Sequence, residues 1–420
     1  MKKYRLLAAI FSLFLFVFIT GCAKAPLITK KRAEPPVRKK IEKPLAAPKD
    51  EPSVLISRNN VGCIFPLTGR FGNAGRRALD AALLSSKIFK QRSSSPWEIV
   101  SADSGGTPEK IREAVSHLAD DVNVIAIVAM SGTAEATIIA EEAQQRKVPL
   151  ILITSKEGVT DTGEYVFQHF LTATQQMEAL IRYAQKTLNI GIYSVLYPQD
   201  DYGLEMVSIF RSKVKSIGGK IHQAVPYRKT DTDFSNQIKK LTGNRIGVAE
   251  QASGMAESTH TRLSVDFEAL FIPDSHQRVK MITSQLAYHN VMGVKLLGTS
   301  LWHAPDLVKS GAEYLEGAVF VDSFFANGYL PETNDFVDVY YAAYGREPGN
   351  IDALSYDTMD IVLKVLGKHK ITTRDEFLEA LLDVHGFRGA TGNVSFNGNR
   401  VAQKEAFILM VQNGKIVQVK

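Results

Sequence analysis

The side chains best placed to act on a ligand are short runs of hydroxyls and glycine that follow apolar stretches. Ser131-Gly132-Thr133 comes just after the continuous apolar run Val124–Ala129, and Thr154-Ser155 comes just after Val148–Ile153. Where a strand gives way to a helix, the first helical turn offers backbone N–H groups without partners and a partial positive charge, which together favour an anion. Hydroxyls there add donors, and glycine lets a ligand approach the backbone. The same residue types also cap helices, so the pattern admits both roles. Catalytic constellations are weaker. Asp274-Ser275-His276 are consecutive, and adjacency in sequence is not the geometry of a triad. The nine histidines show no metal-ligand spacing, and no Gly-x-Ser-x-Gly elbow occurs. Gly69, Gly72 and Gly75 follow a strand but do not fit G-x-G-x-x-G, and no P-loop lysine comes after them. The chain reads as a binding protein rather than an enzyme, without a metal or other cofactor.

The elements that must position these residues alternate. Val61–Phe65, Trp97–Val100, Val124–Ala129 and Val148–Ile153 read as strands, separated by helices over about 71–89, 108–118 and 133–146. The run Val124–Ala129 suits a strand covered on both faces. This βαβαβαβ order demands a parallel sheet with helices on both sides. The rhythm restarts with a helix over about 174–188 and strands at Gly191–Leu196, Lys220–Val225, Phe267–Ile272, Lys295–Leu297 and Gly317–Val321. Helices are expected after Tyr202 and over about 233–241, 277–289, 335–344, 353–366 and 374–382. Residues 243–264 are polar and small, as in a loop or lid. From Gly386 the chain reads as turns between alternating strands. Two doubly wound, Rossmann-like halves imply a cleft lined by loops at the carboxyl ends of the strands.

Composition limits the partners. The chain has 420 residues with 45% hydrophobic and 22% charged side chains, ordinary for globular domains, and its two cysteines exclude a disulfide framework. The net charge of +6 is not spread evenly. Residues 1–52 hold 12 Lys+Arg against 4 Asp+Glu, which leaves 38 against 40 for the rest. The body is close to neutral, so the basic balance is no signal for nucleic acid. Lys2, Lys3 and Arg5 precede the apolar run Leu6–Ile19, which is too short to span a bilayer and suits a signal peptide over residues 1–21. It ends in Ile19-Thr20-Gly21-Cys22, which resembles a bacterial lipobox and makes Cys22 the expected site of lipidation. Ala23, where an aspartate would favour retention in the inner membrane, leans towards the periplasmic face of the outer membrane in a Gram-negative host. Residues 22–56 are rich in lysine and proline and read as a tether.

An ordered set of motifs carries a family resemblance: Val61-Gly-Cys-Ile-Phe-Pro-Leu-Thr-Gly69, Asp200-Asp-Tyr-Gly203, Thr232-Asp-Phe-Ser235, and Gly389-Ala-Thr-Gly392 with Val394-Ser-Phe396. Over about residues 57–420 the chain resembles the type 1 periplasmic binding proteins of the leucine/isoleucine/valine group. That resemblance implies an α/β fold of two doubly wound lobes joined by a three-strand hinge. The crossings fall near Phe170, Leu301 and His385, giving lobe 1 as 57–170 plus 302–384 and lobe 2 as 171–301 plus 385–420. It implies an anion site at Ser131, Gly132 and Thr133, with Thr154 and Ser155 facing the same cleft and Tyr202 opposite. Thr68, Phe71, Ser300 and Trp302 complete the expected lining. Two departures stand out. The loop Gly298-Thr-Ser-Leu-Trp302 lacks the carboxylate with which the family's amino-acid binders meet a ligand ammonium, and Thr154-Ser-Lys-Glu157 replaces small neutral residues. Asp274 and Glu157 are the possible substitutes. The resemblance implies capture of a small ligand, an amino acid or related metabolite, for an ABC permease. A related lobe pair occurs in outer-membrane lipoprotein activators of penicillin-binding proteins, which makes a peptidoglycan synthase the alternative partner.

Overall fold

The computed structural model describes residues 57–86, 97–243, 264–368 and 370–419. Strands β1 (Ser57–Phe65), β2 (Glu98–Asp103), β3 (Val124–Met130), β4 (Leu150–Ile153) and β5 (Val166–Gln168) form a parallel sheet in the order β2-β1-β3-β4-β5. Successive residues of a strand point to opposite faces, and β1 shows what each face meets. Val61, Cys63 and Phe65 join a core with Leu354, Met359, Phe377 and Leu381. Ile64 joins another with Ile111, Leu118 and Ile139. Helices α1 (Gly72–Ser85), α2 (Pro108–Ser116) and α3 (Thr133–Gln145) connect these strands, so every residue of β3 is buried, as its unbroken apolar run requires. β5 was not foreseen, because three residues are too few to show a period.

The second sheet has seven strands in the order β15-β14-β10-β9-β8-β6-β7. β6 (Ile192–Pro198), β7 (Lys220–Tyr227), β8 (Ala269–Phe271), β9 (Lys295–Gly298) and β10 (Val319–Asp322) run parallel. β14 (Phe407–Gln412) and β15 (Lys415–Gln418) complete it antiparallel. Its helices are α4 (Ala173–Lys186), α5 (Asp201–Ser216), α6 (Ser235–Leu241) and α7 (His276–Tyr288). The remaining helices, α8 (Pro331–Tyr344), α9 (Asn350–Lys368) and α10 (Arg374–Leu382), return to the first lobe, where α9 lies along α1.

Two expected crossings move. β10 hydrogen-bonds to β9 and β14, so residues 302–322 belong with lobe 2, and the second crossing falls after Asp322 rather than at Leu301. A small antiparallel sheet, β11 (Phe387–Gly389), β12 (Gly392–Ser395) and β13 (Gln403–Lys404), packs on lobe 1. Phe396 meets Phe167 edge-on at 5.3 Å, and Val394 and Ala402 enter the same core. The third crossing therefore lies between Lys404 and Phe407, not at His385. The turn-and-strand pattern after Gly386 was legible, but alternation says nothing about which sheet a strand joins. The expected signal peptide and tether, and nearly all of the 243–264 loop, lie outside the described residues.

Candidate functional site

The carboxyl-terminal edges of the two sheets face each other. The backbone N–H of Thr174, at the start of α4, donates to Glu157 Oε1 in the loop after β4 at 3.0 Å. Glu205 on α5 lies in the field of both Lys156 and Glu157. Asp322 at the end of β10 accepts from Asn350 Nδ2 at the start of α9 at 2.5 Å. These links run between the lobes and join the loops after β4 and β10 to the starts of α4 and α9.

On lobe 1, Ser131 follows the last residue of β3 and donates its N–H to Ile153 O at 3.2 Å. Its side-chain oxygen is buried and has no hydrogen-bond partner, although the residue is only 8% exposed. The N-cap of α3 is Gly132, which supplies no side-chain cap, and a Cβ there would meet open space. Gly132 and Thr133 are exposed. An unspent buried hydroxyl beside an uncapped helix start is a donor set without an acceptor, which is what an anion fills. Thr154 is buried and accepts from Lys156 N–H at 3.3 Å, while Ser155 is exposed. Wholly buried Gln168 donates through Nε2 to the carbonyls of Thr154 and Lys156, both at 2.8 Å, and so fixes this loop. Thr68 spends its proton on Asp103 Oδ2 at 2.5 Å. Burial pushes the Asp103 carboxyl up, but the Thr68 hydroxyl and three N–H groups outweigh it and hold the carboxyl below its ordinary value. Thr68 is therefore already committed as a donor. Phe71 is 50% exposed, with the Arg70 guanidinium 5.3 Å from its ring centre.

On lobe 2, the Tyr202 hydroxyl donates to Thr299 Oγ1 at 3.1 Å, and burial pushes it up to about 12, so it stays a neutral donor. Asp274 accepts from Tyr227 O–H at 2.5 Å and from Ser275 N–H at 2.6 Å. It remains half-buried with lone pairs to spare. Ser300 is half-buried and donates its N–H to Gln176 Oε1 at 3.3 Å. Trp302 corrects an expectation. It has no exposed surface, donates Nε1–H to Ile272 O at 3.0 Å and packs in the lobe 2 core with Phe320 and Leu296. It stacks against Gly298, where a Cβ would sit 2.1 Å from the indole. A large amphipathic ring two residues beyond a cleft loop reads the same in sequence whether it faces inward or outward.

Leu204 near the start of α5 and Leu301 beside Ser300 are 51% and 44% exposed, so the loops after β6 and β9 each carry an uncovered leucine. Sequence reasoning missed them because a lone leucine at a helix start carries no signal. It also missed Glu205, whose carboxyl is pushed up first by burial and then by Glu157, with Lys156 opposing.

A buried polar chain ties two crossing segments together in lobe 1. Thr358 commits its proton to Leu354 O, so it accepts from His169 Nδ1–H at 2.8 Å. His169 Nε2 then accepts from the Lys404 ammonium at 3.0 Å, and Lys404 also donates to Thr391 Oγ1. The Thr391 hydroxyl donates to Asp357 at 2.6 Å, and the N–H groups of Ala390 and Thr391 add two more donors at 2.8 Å each. The motif Gly389-Ala-Thr-Gly392 is thus a cradle for the Asp357 carboxylate. A Cβ on Gly389 would lie 2.5 Å from that carboxyl group. Burial pushes Lys404 down to about 8, holds His169 well below its ordinary value and pushes Asp357 up.

Among the described residues, no group of three His, Cys, Asp or Glu side chains could hold a metal ion, and no helix is long and apolar enough to cross a membrane. Two α/β lobes, joined by crossing segments and touching through the loops at their strand ends, define the architecture of a two-lobed binding protein. A model of the periplasmic binding protein family matches residues 59–415, and the chain belongs to that family. A leucine-binding protein from Thermotoga maritima superposes with a TM-score of 0.62 at 23% identity, over 86% of this chain and 97% of its own. A candidate branched-chain amino acid ABC transporter protein from Rhodospirillum rubrum gives 0.74 at 19% identity, over 86% and 100%. A solute-binding protein of an ABC transporter from R. palustris, in complex with benzoate, gives 0.60 at 15% identity, over 86% and 95%. At these identities the likeness is one of fold. No curated protein sequence matches the chain.

Proposed function

We propose that the chain is a lipid-anchored, extracytoplasmic solute-binding protein that closes its two lobes on a small acid and presents it to an ABC permease. The observation that carries this reading is the unpartnered, buried Ser131 hydroxyl beside the uncapped start of α3. Ser131, Gly132, Thr133, Thr154 and Ser155 bind the anionic head from lobe 1. Tyr202, Asp274 and Ser300 meet the ligand from lobe 2, with Phe71, Leu204 and Leu301 against its apolar parts. Leucine and benzoate, named for two of the similar structures, share a carboxylate, which supports an acid as ligand here. Closure is a hinge motion whose extent is set by the ligand's preference for the closed state. Cys22 carries the lipid, and the Lys/Pro-rich segment 22–56 tethers the lobes to the envelope membrane.

The test is titration calorimetry with a panel of amino and carboxylic acids on the chain from Cys22, purified in detergent. Ser131→Ala weakens ligand binding by roughly 3- to 10-fold, the worth of one hydrogen bond, and Tyr202→Ala weakens it at least as much by removing the ring surface. Binding that both variants leave unchanged refutes the site. A second reading, an activator of a penicillin-binding protein or peptidoglycan synthase, rests on Ala23 and the basic tether. It requires that the chain raise the synthase's polymerisation or crosslinking rate in vitro, and an unchanged rate excludes it.

A further inference from the structure

The loop after β4 carries a cation that the protein does not use. Lys156 is half-buried, and its ammonium makes no ion pair or hydrogen bond among the described residues. Its backbone is fixed on both sides: the N–H donates to Thr154 Oγ1, and the carbonyl accepts from the wholly buried Gln168 amide. The turn thus holds the point from which the lysine's flexible four-carbon stem extends. Glu157, the next residue, turns one oxygen to the Thr174 N–H of the other lobe and forms no ion pair with Lys156 among the described residues. In the loop after β1, Arg70 is exposed and rests over the Phe71 ring. Across the cleft, Glu205 lies near Lys156 without forming an ion pair with it.

Resting on the solute-binding reading above, we propose that the cleft selects a solute with two carboxylates, one held at Ser131 and the start of α3, the other by Lys156. A monoacid leaves the Lys156 ammonium losing water as the lobes close, with no ion pair formed in its place. A second carboxylate supplies the missing charge, and a charge-assisted hydrogen bond is among the stronger single contacts a site can make.

The experiment compares matched pairs by calorimetry on the chain from Cys22 in detergent: L-glutamate against L-glutamine, and glutarate against valerate. Within at least one pair the diacid binds roughly 10- to 150-fold more tightly. Lys156→Met, with an unchanged melting temperature as its folding control, brings diacid affinity down to that of the monoacid analogue, and Lys156→Arg keeps most of the preference. Equal affinities within both pairs, or a preference that survives in Lys156→Met, overturn the proposal. So does an equal loss for every ligand in both Lys156→Met and Glu205→Gln, which makes the lysine a lobe-to-lobe pair with Glu205. Binding of monoacids alone defeats this proposal and leaves solute capture standing. If nothing in the wider panel of amino and carboxylic acids binds, solute capture falls with it.

Discussion

Replacing Lys404 by methionine removes the only cation within the buried chain that runs from His169 to Asp357. In the native protein the Asp357 carboxylate has three donors from Ala390 and Thr391, and Lys404 answers its charge through the Thr391 hydroxyl. Methionine fills much of the lysine's volume, so the loss is one of charge rather than packing. Breaking a buried pair by removing one partner costs about 3–5 kcal/mol. A second route to the magnitude agrees. If Asp357 escapes by taking up a proton at pH 7, it does so against an ordinary value of 3.8, at about 1.4 kcal/mol per pH unit, for a ceiling near 4.4 kcal/mol. That route also fixes a sign: protonation becomes easier as pH falls, so the deficit shrinks from pH 7 to pH 5. The assay is urea unfolding at both pH values with native-state hydrogen exchange to locate the loss. Protection should fall in β4, β5 and α9 and persist in β8 and β9. A deficit under about 1 kcal/mol at pH 7, or loss concentrated in the second sheet, would refute the reasoning.

Three further expectations follow from the same geometry. His169 is buried and held neutral well below its ordinary value of 6.5, so the unfolded chain binds the extra proton first. Stability it supports is complete above pH 6.5 and is lost as pH falls, and His169→Gln should flatten that acid limb in denaturation curves between pH 7 and 4.5. Gly298→Ala places a methyl 2.1 Å from the Trp302 ring and should destabilise lobe 2 by about 1–3 kcal/mol, with a changed indole fluorescence; wild-type stability would contradict the packing. Cys63 is wholly buried, and burial pushes its thiol up to about 12, so a maleimide should leave it unlabelled in the folded protein and label it in urea.

The alternation of strands and helices was legible because the runs Val124–Met130 and Leu150–Ile153 are buried on both faces and need unbroken apolar sequence. Helix ends were legible where caps are strong. The capping box of Thr373 and Glu376 marks the start of α10, and its expected span of 374–382 holds. What failed was assignment between lobes. Nothing local distinguishes β10 from a strand of lobe 1, or places β11–β13 on the other side of the third crossing, because sheet membership is a long-range fact. At the site, Ser131 and Gly132 could be found from strand-then-helix order. Trp302 was misplaced because its burial depends on Gly298 making room beneath the ring. Lys156 stood out in sequence only as a departure; that its ammonium is unspent emerges once Gln168, Thr154 and Glu205 are placed around it.

The most direct test of the cleft is native mass spectrometry of the chain from Cys22 in detergent, before and after mild unfolding and refolding. The account requires a discrete added mass, that of a small acid, which leaves on unfolding and returns from a metabolite extract. An unchanged protein mass throughout, with no uptake from the extract, would contradict a working solute site and leave the lobes to bind a protein.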